Sequence, residues 1–135
     1  MFIWGESFIN KLKNKSYTYS FEKLEVWNLS VSFVKEIYKV TENYPEKEKF
    51  GLISQLRRAS VSVPSNLAEG SSRMTNKNKA HFTQIAFGSL MELLCQLIIS
   101  KELGYLDEKK LSELREKIEE IANKLNALHK FQLSK

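Results

Sequence analysis

The sequence predicts an all-α protein folded as an antiparallel up-down-up-down four-helix bundle. Three observations lead there. Apolar residues recur at steps of three and four along most of the chain, as amphipathic helices require. Only five Gly and two Pro occur in 135 residues, too few for an all-β protein or a disordered chain. The stretches between periodic segments are short, which favours antiparallel neighbours. A chain of this length forms one domain with a real core, and we divide it into an N-terminal extension, residues 1–20, and a bundle domain, residues 21–135.

From Phe21 onward helical spacing dominates. Leu24, Trp27, Val31, Val34 and Tyr38 form one apolar row, with Val26, Phe33, Ile37 and Val40 beside it. The first helix should end near Asn43, because Pro45 disfavours a helical Tyr44. The second spans Phe50 to Glu69, with Leu52, Leu56, Ala59 and Val63 on one face. Pro64 lacks an N–H and crowds the carbonyl of Ser60, so a kink or break is expected there. Gly70 is placed as the C-terminal stop.

A polar connector follows, in which Thr75 or Asn76 caps the third helix. That helix carries Phe82, Ala86, Leu90, Leu93, Leu97 and Leu103, then stops at Gly104 with Tyr105 as the apolar contact of the cap. Asp107 is the next N-cap, and Leu106 and Leu111 sit at the positions of a hydrophobic staple. Leu111, Leu114, Ile118, Ile121, Leu125 and Leu128 alternate steps of three and four down the fourth helix, while Glu113, Glu116, Lys117, Glu119, Glu120 and Lys124 take its other face.

The formal charge of +5 is uneven: +2 over residues 1–69, +3 over residues 70–101 and zero over residues 102–135. Between Phe50 and Met91 the basic residues Arg57, Arg58, Arg73, Lys77 and Lys79 face a single acid, Glu69. Such a stretch gives a positive surface, for which polyanions are the natural partners. A solvated helix surface in a mildly basic protein is the competing interpretation. On a helix, Arg58 shares a stripe with Ser54, Ser62, Ser65 and Glu69, whereas Arg57 borders the apolar side near Ile53 and Val61. One arginine can thus face outward while its neighbour is partly buried, and pairing with another helix or snorkelling over the core edge competes with ligand binding. The other non-apolar positions of this helix are small: Ser54, Ser60, Ser62, Ser65 and Asn66. This suggests close contact with another helix or another subunit, and Ser54, Ser62, Ser65 and Asn66 are the candidate oligomer-interface residues.

Catalytic chemistry is not apparent. Glu-x-x-His pairs of carboxylate-bridged metal bundles are absent, because Asn78 and Asn126 stand three residues before His81 and His129. No metal or cofactor is expected. No glycine-rich phosphate loop occurs. Cys95, the single cysteine, is expected to pack as a small core residue and excludes an intramolecular disulfide, which fits a cytoplasmic setting. The longest uninterrupted apolar runs are a few residues, so no bilayer span is expected. Trp4, Phe8, Ile9 and Leu12 could form one side of a short amphipathic helix for partner docking or membrane-surface contact, with packing on the protein itself the commoner outcome. We expect no membrane partner.

Phe21-Glu22-Lys23-Leu24-Glu25-Val26-Trp27 and the long block from Phe50-Gly51-Leu52 through Arg57-Arg58 and Pro64-Ser65-Asn66 to Ala68-Glu69-Gly70 closely resemble the bacterial four-helix-bundle proteins encoded within 23S rRNA intervening sequences. Ala86-Phe87-Gly88-Ser89-Leu90-Met91-Glu92-Leu93 and Leu103-Gly104-Tyr105-Leu106 are similar to the same family's third helix and its end. The resemblance covers about residues 21–131. It implies a left-handed bundle assembled as a ring, a homopentamer, with a basic concave or central surface. Relatives that serve diversity-generating retroelements as accessory proteins imply that a similar basic barrel engages RNA and a reverse transcriptase. Leu94-Cys95-Gln96 departs from the acidic residue expected near position 95.

The functional expectation is a non-enzymatic homo-oligomeric bundle that binds RNA or other nucleic acid through Arg57, Arg58, Arg73, Lys77 and Lys79. The contacts would be mainly to phosphates, since no ordered aromatic platform is visible in the sequence. A protein-interaction scaffold that binds no nucleic acid is the alternative.

Overall fold

The computed structural model describes residues 16–134. The Trp4, Phe8, Ile9 and Leu12 segment lies outside the described residues. An extended stretch leads into a 3-10 turn, Ser20–Lys23, followed by four helices: α1 (Glu25–Thr41), α2 (Leu52–Ser71), α3 (Asn76–Glu102) and α4 (Glu108–Leu133). A second 3-10 turn, Glu46–Glu48, joins α1 to α2.

Named contacts fix the topology. Arg57 on α2 reaches Tyr38 and Thr41 on α1. Ser62 bonds Ser89 and Gln55 meets Gln96 between α2 and α3. Thr83 bonds Gln132, and Lys101 pairs with Glu108, between α3 and α4. Glu36 pairs with Lys117 and Glu25 with Lys124, which returns α4 to α1. In each of the last three helix pairs one helix ascends in number as the other descends, and the short connection between α1 and α2 makes those two antiparallel neighbours as well, so the bundle closes on itself.

The helices bury Phe33, Ile37, Leu56, Val63, Leu67, Leu90, Leu93, Leu97, Leu114 and Leu125 in one continuous core. On α4 the expected row from Leu111 to Leu125 is buried throughout. On α1 the deep face is the companion row, Val26, Phe33 and Ile37, extended by Ser30 and Thr41, while Tyr38 is exposed. Those two hydroxyls can be buried because each donates to a carbonyl one turn back, Ser30 to Val26 and Thr41 to Ile37, both at 2.7 Å. Helix α1 also begins later than expected. The Ser20–Lys23 turn precedes it, and Asn28 Nδ2 bonds back to the carbonyls of Glu22 and Leu24, both at 3.0 Å.

Helix α2 departs from expectation at two positions. It is assigned as one unbroken helix through Pro64, which is buried with Ala59, Ser60 and Val63, so core packing outweighs the one backbone bond that proline forfeits. Gly70 does not stop the helix. It is buried within α2, and a Cβ there would lie 2.7 Å from Phe82 Cβ. Its role is to let α2 and α3 approach.

The true glycine stop is Gly104, at φ +81°, where Tyr105 N donates to Ser100 O at 2.9 Å and Gly104 N to Lys101 O at 3.0 Å. The expected N-caps are present: Thr75 accepts from Asn78 N, and Asp107 from Lys110 N. Cys95 is exposed, contrary to the core position expected, because the buried register of α3 runs through Leu93, Gln96, Leu97 and Ser100.

Candidate nucleic-acid interface

Helix α2 leaves four carbonyls without helical partners at its C-terminus. Two serines help to close that end: Ser71 Oγ donates to Ala68 O and Ser72 Oγ to Glu69 O, both at 2.6 Å. The chain turns through residues 72–75 and enters α3. Arg73 spans the turn, bonded to Glu69 at 3.1 Å with its guanidinium 4.6 Å from the Phe82 ring centre. This pair is exposed and contributes little to stability, but it fixes where the cation sits.

Helix α3 opens with cations. Helix N-termini carry a partial positive charge and favour acids in their first turn, and α1 and α4 obey with Glu25 and Glu108. The first turn of α3 contains no acid and carries Lys77, with Lys79 close behind. Among the described residues neither lysine is within 4 Å of a carboxylate. The exposed backbone N–H groups, the helix dipole and these ammonium groups therefore add in sign, a combination suited to anions.

The five sequence-predicted cations divide into two groups. Arg73, Lys77 and Lys79 all fall at the α2–α3 turn and the start of α3, with Lys77 exposed and Lys79 half-buried. Arg57 and Arg58 lie near the start of α2, about 22 Å further along its axis at 1.5 Å per residue. Arg57 is half-buried and clamps the last turn of α1: Nε donates to Thr41 Oγ1 at 3.0 Å, an Nη donates to Tyr38 O at 3.3 Å, and the guanidinium lies 4.5 Å from the Tyr38 ring centre. A cation at a helix C-terminus is favourable, so this arginine has a structural task. Arg58 is exposed and borders a surface hollow of about 330 Å³ with Gln55, Ser62, Ser89 and Glu92.

The small residues of α2 are also divided. Ser62 Oγ and Ser89 Oγ are 2.8 Å apart, so Ser62 bridges α2 and α3 within one chain, and Asn66 Nδ2 donates back along α2 to Ser62 O at 2.8 Å. Ser65 is exposed and Ser54 half-buried. The larger uncovered apolar surface is on α3, where Ile85 and Ile99 are exposed along with Cys95. This helix is long and apolar enough to cross a membrane by length and composition, a property that short uninterrupted runs did not reveal; only 33% of its most apolar window is buried.

A row of aromatic rings also appears, contrary to the sequence-based expectation. Tyr17 and Tyr19 meet edge to face at 4.9 Å, Tyr19 stacks on Phe21 at 6.3 Å, and Phe21 meets Trp27 at 5.1 Å. The signal available was the alternation of Tyr17 and Tyr19, which puts two rings on one side of an extended stretch leading into the turn that carries Phe21. Among the described residues no group of three His, Cys, Asp or Glu gathers as a metal set.

A family model described as the 23S rRNA-intervening sequence protein matches residues 22–127. The chain belongs to this family. The matched span runs from the 3-10 turn into α4 and includes the α2–α3 turn with all five candidate cations; Tyr17 and Tyr19 precede it. Among solved structures, a protein of unknown function from the S23 ribosomal protein family of Bacteroides thetaiotaomicron is similar at 19% identity, with a TM-score of 0.71. The alignment covers 78% of this chain and 95% of that one, a likeness of fold. No curated protein matches.

Proposed function

We propose that this member of the 23S rRNA-intervening sequence family is a cytoplasmic, non-enzymatic, self-associating bundle that binds RNA or other nucleic acid mainly through phosphates. The observation that carries this is the α2–α3 turn, where Arg73, Lys77 and Lys79 join a helix N-terminus with no acid in its first turn, and where among the described residues Glu69 is the one acid paired with any of the three. Phosphate contacts position a polyanion without reading its sequence. The family's description makes RNA the first polyanion to test. Arg58 adds charge on the α2–α3 side, and Arg57 contributes by holding α1 to α2.

Self-association is supported by α3. Apolar residues on a helix favour burial, yet Ile85, Cys95 and Ile99 lie on the outward side of α3 in a single chain, among His81, Gln84 and Glu92. A second copy would cover them, and Arg58 and Glu92, on the same hollow, offer an exchangeable ion pair. Val61 and Ser65 lie on the exposed part of α2. A ring of five is the stoichiometry that the family resemblance proposes.

The test is a titration of structured RNA across salt concentration. Each phosphate neutralised should contribute a log–log slope of about −0.7 to −0.9. Affinity that does not change with salt would sink the phosphate reading. A light-scattering mass equal to one chain at micromolar concentration would rule out the oligomer. The uncovered α3 face favours a second reading, a protein scaffold; co-purification of one protein that survives nuclease treatment would select it.

A further inference from the structure

The aromatic row and the basic turn occupy the same end of the bundle. Thr41 on α1 is level with Arg57 on α2, because the two side chains are bonded. Fourteen residues back along α1 is Trp27, and fourteen forward along α2 is Ser71, so at about 1.5 Å per residue both lie about 21 Å from that level. The Ser20–Lys23 turn packs against both helices there. Trp27 thus stands beside the residues that lead into Arg73.

The outer members of the row are unusual for rings in so regular a contact. Tyr17 is 77% exposed and Tyr19 60% exposed. The backbone of Tyr19 is held, since Tyr19 N donates to Glu22 Oε2 at 2.7 Å, Tyr17 rests edge to face on the Tyr19 ring, and Phe21 against Trp27 anchors the inner end. The acids nearby are occupied, Glu22 by that bond and Glu25 by Lys124 at 3.2 Å. Lys23 is exposed in the same turn.

We infer that Tyr17 and Tyr19 form a base-stacking platform, and that the ligand of this end is single-stranded RNA with unpaired bases rather than duplex. Rings offer stacking faces to any base, while a neighbouring cationic surface follows the backbone. A duplex keeps its bases stacked internally and could use only the cations. This assignment rests on the phosphate-binding reading and adds the class of nucleic acid.

The test uses the full chain and two fluorescein-labelled probes of about 12 nucleotides: oligo(A) RNA, and the same strand annealed to oligo(U). The wild-type chain should prefer the single strand. Tyr17→Leu/Tyr19→Leu should lower single-strand affinity about tenfold or more, leave duplex affinity and salt slope unchanged, and keep the thermal midpoint, since both rings are exposed. Tyr17→Phe/Tyr19→Phe should retain single-strand affinity, because stacking needs the ring and not the hydroxyl. Lys77→Ala/Lys79→Ala should weaken both probes and flatten the salt slope. Unchanged single-strand affinity in the leucine variant, with salt-dependent binding intact, overturns the platform and leaves phosphate binding standing. Binding of neither probe at low salt overturns both. Loss in the leucine variant of a protein partner that resists nuclease, with RNA binding unaltered, assigns the rings to protein and also overturns the platform.

Discussion

At one end of the bundle Arg73, Lys77 and Lys79 have Glu69 as the one acid of their turn, Glu22 and Glu25 at that end are bonded to Tyr19 N and Lys124, and the α3 N-terminus adds its own positive charge. At the other end Lys101 sits between Glu102 at 3.6 Å and Glu108 at 3.3 Å, and Lys110 pairs with Glu113. There Glu48 accepts from the Tyr105 hydroxyl at 3.0 Å and from Leu52 N at 3.1 Å. Both ends are exposed helix connections with several lysines. The difference lies in the acids nearby: Glu46, Glu48, Glu102, Asp107, Glu108 and Glu113 stand among the lysines of the second end, whereas Glu69 is the one acid of the α2–α3 turn. Net charge of the whole chain therefore does not locate an anion site; the local balance of bases over acids does.

The two glycines at these ends give the largest expected effect. Gly70→Val should cost about 3 kcal/mol, because the new side chain meets Phe82 in a closely packed seam. Gly104→Ala should cost about 1 kcal/mol, from the left-handed backbone alone, since nothing lies within 4 Å of its Cβ position. Chemical denaturation of both variants checks this; equal losses would mean that α2 and α3 are not in close approach at the basic end.

Next, Arg57→Ala should destabilise by about 1.5 kcal/mol through the lost bonds to Thr41 and Tyr38, whereas Arg58→Ala should stay within about 0.5 kcal/mol. Denaturant midpoints separate the pair. The charge contrast itself is tested by Lys77→Glu/Lys79→Glu, expected to lower RNA affinity at least about tenfold at 0.1 M salt. Lys109→Glu/Lys110→Glu at the opposite end should leave it within about twofold. Similar losses in both would erase the distinction between the ends.

The smallest effect is on pH. Burial holds the Tyr44 phenol above its ordinary value, and the hydrogen bond to Glu48 does the same for Tyr105. The folded chain keeps both protons more tightly than the unfolded chain. Their stabilisation is complete below about pH 10 and is lost as pH rises through the folded values. Thermal midpoints should fall as pH rises above about 10, and less steeply in Tyr105→Phe.

Much of this molecule was legible from residue order. The α4 row, the Thr75 and Asp107 caps and the Gly104 stop follow from local rules, because spacing, a side-chain oxygen or an achiral residue decides each within one or two turns. The basic middle of the chain was also visible as a run of residues. Its division was not: Arg57 finds its partners on another helix, 16 and 19 residues away in sequence.

The sequence by itself determined helix number, approximate boundaries, polarity of faces and the excess of cations in residues 70–101. The tertiary structure decided which cations remain unpaired, that Gly70 serves as a point of approach, that Pro64 stays within a helix, and that Tyr17, Tyr19 and Trp27 share an end with Lys77. The physical reason is range. Caps and periodicity depend on neighbours within about four residues along the chain, whereas pairing, burial and close packing depend on groups that only the folded bundle brings together.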